Sequence, residues 1–355
     1  MRSRLWLFSL TLLALGAHGA GAATLNVAAG GIDGDGCGSK ALPCRSITRA
    51  IALAVDGDKI LVGPGRYGDL DADGTRGETG EEGSASGLVL VDKRVAIEST
   101  QGAATTLIDA AGAPVNAVDI AASGATFGKA KKGFTITRSQ GAAVFIDPQA
   151  TGVTIAGIRA VRNGSGILTK APGLILRDNV AEANDGNGFS IAGSASTLTA
   201  CRATGNGENG FLILGQGVVV KSSVASANAA DGFSLGGGGA TLTNSVATGN
   251  NVGLRIGGAA PGILGTNSFL GNAQAGIVVT TPNVTITKTN VFGNGSTGAT
   301  NCGILTAGAG SVNADGVCFG APTGPGDDPA DQICGTIIVL EIVDKVIKVT
   351  PKVPL

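Results

Sequence analysis

The sequence predicts an all-β fold: a single-stranded right-handed parallel β-helix with 22-residue coils and a short N-terminal capping helix. Three observations predict it. Asparagine recurs at Asn163, Asn184, Asn206, Asn228, Asn250, Asn272 and Asn294, with a spacing of 21 once and 22 thereafter. A glycine follows each turn, at Gly166, Gly188, Gly210, Gly232, Gly253 and Gly276, and then a large apolar residue: Ile167, Phe189, Phe211, Phe233, Leu254 or Ile277. Within each copy the apolar residues alternate at period two, in short runs rich in Val, Ile and Thr. A fixed period of this length marks a solenoid. The runs are too short for helical repeats, so each copy is one coil of about three strands, stacked at the strand spacing of roughly 4.8 Å. Right-handed winding is the default for parallel crossovers.

Stacking sets equivalent residues above one another. Phe189, Phe211 and Phe233 are expected to form an interior stack. The asparagines are placed at a turn, where Asn tolerates the left-handed conformation and stacked amides can donate and accept along a ladder. The glycine is read as allowing a tight turn beside each coil.

The elements follow in order. Residues 1–22 form a leader: a basic MRSR start, an apolar LWLFSLTLLALGA core and a small-residue AGA end. The apolar stretch is short for a membrane span, and no later segment is long enough for one. Export to a periplasm or beyond the cell is therefore expected. The leader takes with it His18, Trp6 and Met1, each the only residue of its type, and leaves Tyr67 as the only phenol. Residues 23–68 hold a cap and first strand. Ile47, Ala50, Ile51 and Ala54 have helical spacing behind an N-cap at Ser46, and such a helix would cover the open solenoid end. Residues 69–87 are an acidic, Gly-rich loop, residues 88–310 the β-helix proper, and residues 311–355 a closing segment with one or two β-branched strands.

Composition narrows the function. With 25 basic and 26 acidic residues, the chain has no charge excess and no basic stripe for nucleic acid. Lys129, Lys131 and Lys132 are read as a solvated turn. Six cysteines in an exported chain point to disulfides. Cys37 and Cys44 lie close enough in CGSKALPC to close a small loop. Cys201 is roughly four coils from Cys302, about 20 Å, too far to bridge, and is expected to be a buried thiol. Of Cys302, Cys318 and Cys334 one is then left over, with Cys318 the expected remainder.

DGDGC at 33–37, PCRSI at 43–47, GDKI at 57–60 and PGRY at 64–67, together with NCG at 301–303 and FGAPTGPG at 319–326, resemble the end modules of secreted right-handed parallel β-helix proteins of the pectin-lyase-like group. Phe319 stands where that group usually has Trp. The resemblance covers nearly the whole mature chain and implies a Cys302–Cys334 disulfide. It implies fold more than activity, because the fold carries lyases, hydrolases, esterases, epimerases, adhesins and non-catalytic proteins.

Several residues are candidates for chemistry. Asp69, Asp71 and Asp73 form a DxDxDG run, the spacing that turns alternate carboxylates toward one calcium ion. The twelfth loop position is Gly80 rather than a carboxylate, with Glu78 and Glu81 nearby, and a solvated acidic turn is the competing reading. Asn187, Asn209 and Asp231 share a coil position beside Asp185 and Glu208. Such side chains can serve sugar chemistry as acid and base, and are equally preferred turn residues. Asp147-Pro148-Gln149 resembles the Asp-Pro-His site motif of β-helix epimerases and lyases, without the histidine. Arginine acts as base in related lyases, and Arg138, Arg159, Arg177 and Arg202 are available. The leading expectation is a non-catalytic exported protein that presents a solenoid surface to a polysaccharide or cell-envelope partner. The alternative is a polysaccharide lyase, a glycoside hydrolase or a related carbohydrate-active enzyme, and the third is a structural or adhesive solenoid.

Overall fold

A computed structural model describes residues 21–71, 73, 77–78, 80–295, 301–326 and 331–350. The expected leader lies outside them but for its last two residues. Among the described residues, the alternating runs form short parallel strands in three sheets, here A, B and C, of 13, 10 and 11 strands. Each coil visits A, B and C in turn. One coil comprises Thr197–Thr199, Arg202–Thr204 and Phe211–Ile213, and the next Val219–Lys221, Val224–Ser226 and Asp231–Leu235. The chain is thus a parallel β-helix. Thr24–Val27 and Lys59–Val62 already pair within sheet A, and Ile337–Ile342 is that sheet's last strand.

Register fills the core. Phe189 pairs with Phe211 and Phe211 with Phe233. Their buried rings stack at centroid distances of 4.8 Å, which is the strand spacing itself. Sheet B contributes small residues beside them, Ala181, Ala203, Ala225 and Ala247, all buried and in register. Where sheet B changes to Phe269, sheet C has already changed from Phe233 to Leu254 and Ile277. Bulk moves from one wall to the other and the interior stays filled.

The asparagine corner differs from expectation in one respect. The left-handed residue is not the asparagine but the residue before it: Arg162, Ala183, Gly205, Ala227, Gly249, Gly271 and Gly293. That turn aims the following side chain inward, so all seven asparagines are buried. Each donates through Nδ2 to the Oδ1 of the next, at 2.8–3.2 Å from Asn163 to Asn294. Asp331 ends the ladder, accepting from the backbone N–H and Nδ2 of Asn294 at 2.9 and 2.6 Å. The repeated glycines make room for this packing and do not turn the chain. A Cβ on Gly210 would lie 2.7 Å from the Gly232 carbonyl and 2.8 Å from Asn228 Nδ2.

The helix Ile47–Leu53 covers the N-terminal end. Ser46 accepts from Arg49 N–H. Glu82 accepts the N–H groups of Ile47 and Thr48 at 2.6 and 2.8 Å, and Lys93 Nζ donates to the carbonyls of Ile51, Ala52 and Ala54. So short a helix is held by the Glu82 carboxyl at its N-terminus, whose pKa burial raises, and by the Lys93 cation at its C-terminus. Cys37–Cys44 and Cys302–Cys334 are disulfides, whereas Cys201 and Cys318 are buried free thiols. Cys201 occupies a second corner ladder, where Asn179, Ser223, Ser245 and Asn267 are buried around it in the coils.

Candidate functional site

Sheet A carries a concave cleft of about 490 Å³, lined by Thr126, Gly128, Lys129, Ala130, Thr154, Ala156, Ile175, Arg177 and Asp178. Period two points alternate residues of each strand outward, so Thr126, Thr154 and Ile175 form one outward row. A second row runs Ala156, Arg177, Thr199, Lys221 and Thr243. Arg177 and Lys221 are both exposed and two rungs apart, roughly 10 Å at the ordinary strand spacing. The cleft sets the Thr126 and Thr154 hydroxyls beside Lys129, Arg177 and Asp178, and Lys221 follows Arg177 two rungs on in the second row.

Of the four arginines considered from sequence, only Arg177 lines this cleft. Arg138 makes two bonds to Asp109, at 2.7 and 2.8 Å, and Arg159 pairs with Glu182 at 2.7 Å. Arg202 is exposed on sheet B. Burial pushes the Asp109 carboxyl up, but Arg138 and Arg66 outweigh it and hold the group below the usual carboxylate range. Lys129 contributes to the cleft, and its turn closes through mutual backbone bonds with Lys132. Lys221 was the residue missed from sequence. The signal was present, because Arg177 and Lys221 lie two periods apart at one coil position.

The polar row at the sheet C corner is hydrogen-bonded within itself. Asn209 Nδ2 donates to Asn187 Oδ1 at 2.9 Å, Asp231 N–H donates to Asn209 Oδ1 at 3.1 Å, and the Asp231 carboxylate is engaged by Arg255 at 2.7 and 3.1 Å. Asn187 also bonds Glu208, and Asp185 is exposed. Asp147 accepts from Gln149 N–H, so Asp-Pro-Gln is a local turn.

The described residues of the acidic loop reach the N-terminal cap through Glu82, which accepts from the Ile47 and Thr48 N–H groups. Its base is closed by Glu82 N–H to the Gly68 carbonyl, and Arg66 donates to the carbonyls of Asp69 and Leu70. Two carboxylate triads result. Asp69, Asp71 and Glu81 bring ligand oxygens within 4.8 Å of one another, as do Asp71, Asp73 and Glu78. Asp71 belongs to both, and Asp69 and Asp73 fall in different ones. Glu78 is raised above its ordinary range, chiefly by the charge of Asp73. Glu81 and Glu78 lie past the run itself, so the DxDxDG spacing alone could not show that both return to it.

Three comparisons bear on the fold. The family model for the right handed beta helix region matches residues 132–221 and 196–319, together more than half of the chain. No curated protein matches the sequence. Among solved structures, the A-module of a mannuronan C-5 epimerase from Azotobacter vinelandii is 15% identical, covering 84% of this chain and 89% of that one at a TM-score of 0.55. A rhamnogalacturonan lyase is 14% identical, covering 90% and 87% at a TM-score of 0.52. At such identities the likeness is one of fold.

Proposed function

The chain belongs to the right-handed β-helix family, and from that premise we propose that it engages an acidic polysaccharide along sheet A. One observation carries the proposal: the cleft that holds Lys129 and Arg177 beside the Thr126 and Thr154 hydroxyls, continued along the coils by Lys221. Cations at Lys129, Arg177 and Lys221 suit a polymer that carries carboxylates along its length. The hydroxyls supply partners for its sugar oxygens.

Two readings differ in what happens to the glycan. The non-catalytic surface rests on the sequence, whose single histidine, His18, lies in the expected leader. The carbohydrate-active enzyme gains support from the two superposed chains, both named as enzymes of polysaccharides, and on that support it stands ahead. In a lyase, Lys129 and Arg177 would bind the uronate carboxylate, and their charge would favour the anion that forms beside it. The two disulfides suit an oxidising compartment outside the cytoplasm, where a chain freed of residues 1–22 would meet such a polymer.

The test incubates the protein with uronate-rich and neutral polymers and follows unsaturated ends, reducing ends and retention. Acidic polymers are expected to be retained or cleaved, and Arg177→Ala and Lys221→Ala to weaken the effect. Equal behaviour toward neutral polymers, or no change in either variant, would refute the assignment to sheet A. New ends select the enzyme, and retention alone selects the binding surface.

A further inference from the structure

We propose that Asp69, Asp71 and Glu81 bind a calcium ion that locks the acidic loop onto the N-terminal cap. The carboxylates alone would not carry this, since acidic turns are common on surfaces. Glu81 does. It is only 7% exposed and lines a cavity with Leu70, Asp71 and Glu78. Its Oε1 accepts from Leu70 N–H at 2.6 Å, while its Oε2 is buried with no hydrogen-bond partner. A buried carboxylate oxygen without a partner is costly. A cation in the cavity beside it would remove that cost.

The donor set selects the ion. All three donors are hard carboxylate oxygens, with no sulfur or imidazole, which excludes the softer metals. Oxygens within 4.8 Å of one another can share a calcium ion, whose bonds are about 2.3–2.6 Å long. A loop with exposed Asp71 at its rim suits the irregular coordination of calcium better than the strict octahedron of magnesium. Asp69 is wholly buried and Asp71 exposed, so the ion would sit between the coil surface and solvent and complete its shell with water.

The location gives the site a role. Glu82 follows Glu81 directly and caps the helix Ile47–Leu53 through the N–H groups of Ile47 and Thr48. Asp69 N–H bonds the Asp109 carbonyl in the next coil. An ion held by Asp69 and Glu81 would therefore join the first coils to the helix that covers them. The site stands independently of the glycan reading.

Calorimetric titration of the whole exported chain with calcium chloride, after chelation, tests the proposal, with thermal melts in parallel. Saturable heat and a rise in melting temperature with calcium are expected, and a smaller rise with magnesium. Glu81→Gln and Asp71→Asn are each expected to abolish the heat, and exposed Asp185→Asn, several coils away, to leave it. Asp71 is exposed, so its variant keeps the test valid if Glu81→Gln fails to fold. No heat in the wild type, or heat unchanged in Asp71→Asn, would overturn the site.

Discussion

Replacing Asn228 with Ala removes one rung from the middle of the buried ladder. Its Oδ1 accepts from Asn206 N–H at 3.1 Å and Asn206 Nδ2 at 2.8 Å, and its Nδ2 donates to the Ala203 carbonyl at 3.2 Å and Asn250 Oδ1 at 2.8 Å. All four bonds go. The backbone N–H of residue 228 keeps its bond to Asn250 Oδ1, and Asn206 Nδ2 keeps the Ala181 carbonyl. The Asn206 N–H loses the acceptor that the ladder gives it inside the protein, at a cost of about 1–3 kcal/mol. The other three bonds each forfeit a net ~0.5–1.5 kcal/mol. The expected loss is therefore about 2.5–7.5 kcal/mol, a large share of a domain stability of about 5–15 kcal/mol. Denaturant unfolding measures it, and hydrogen exchange at the Asn206 amide locates it. Asn209→Ala, in the half-exposed outer row, is the control and should cost much less. A loss at position 228 no larger than the control, with the Asn206 amide still protected, would refute the reasoning.

Phe211→Ala should cost about 3–5 kcal/mol, because a ring stacked on both sides leaves a cavity that rigid coils cannot close; near-wild-type unfolding would contradict the core register. Ala227→Gly should stabilise by up to about 1 kcal/mol, since φ is 53° there and four equivalent corners carry glycine; a lower melting temperature would count against the strain. Burial pushes the Cys201 thiol up to about 12, so it should stay protonated and inert to thiol reagents at mildly alkaline pH and react only after denaturation; modification of Cys201 in the native state would disprove its burial. The Asp109 carboxyl is held below its ordinary range, so its pairing with Arg138 and Arg66 supports the fold above the unfolded pKa and is lost as pH falls through the folded one. Asp109→Asn should accordingly flatten the acid limb of a stability–pH curve, and an unchanged limb would remove the ion pair from the account.

The period alone made the coil legible: Phe189, Phe211 and Phe233 announced their own stacking, and Ser46 announced the cap. The asparagine corner was half legible. Residue type showed a turn, but which of two adjacent residues turns left depends on the side chain that must face inward, and that is set by three dimensions. Gly205, Gly249, Gly271 and Gly293, each just before an asparagine, were the available clue. The cleft was harder still. Arg177 differs from Arg138 and Arg159 only in lacking a carboxylate such as Asp109 or Glu182 across the next coils, and no local pattern records that. Glu81 was hidden for a similar reason: its place beside Asp69 follows from the closure of the loop at Gly68 and Glu82.

The asparagine ladder also bears on how such a chain can change length. From Asn163 to Asn294 every junction is chemically the same, with an amide passing a donor to the next oxygen. Duplication or loss of one whole coil inside that span recreates the same junction: without residues 207–228, the Asn250 oxygen would stand where the Asn228 oxygen stood. Asp331 is different. Both its carboxyl oxygens accept from Asn294, where an asparagine would have passed a donor on, so the amide series closes there. Coil number is thus free to drift in evolution through the interior copies, while a single acidic residue marks where counting stops.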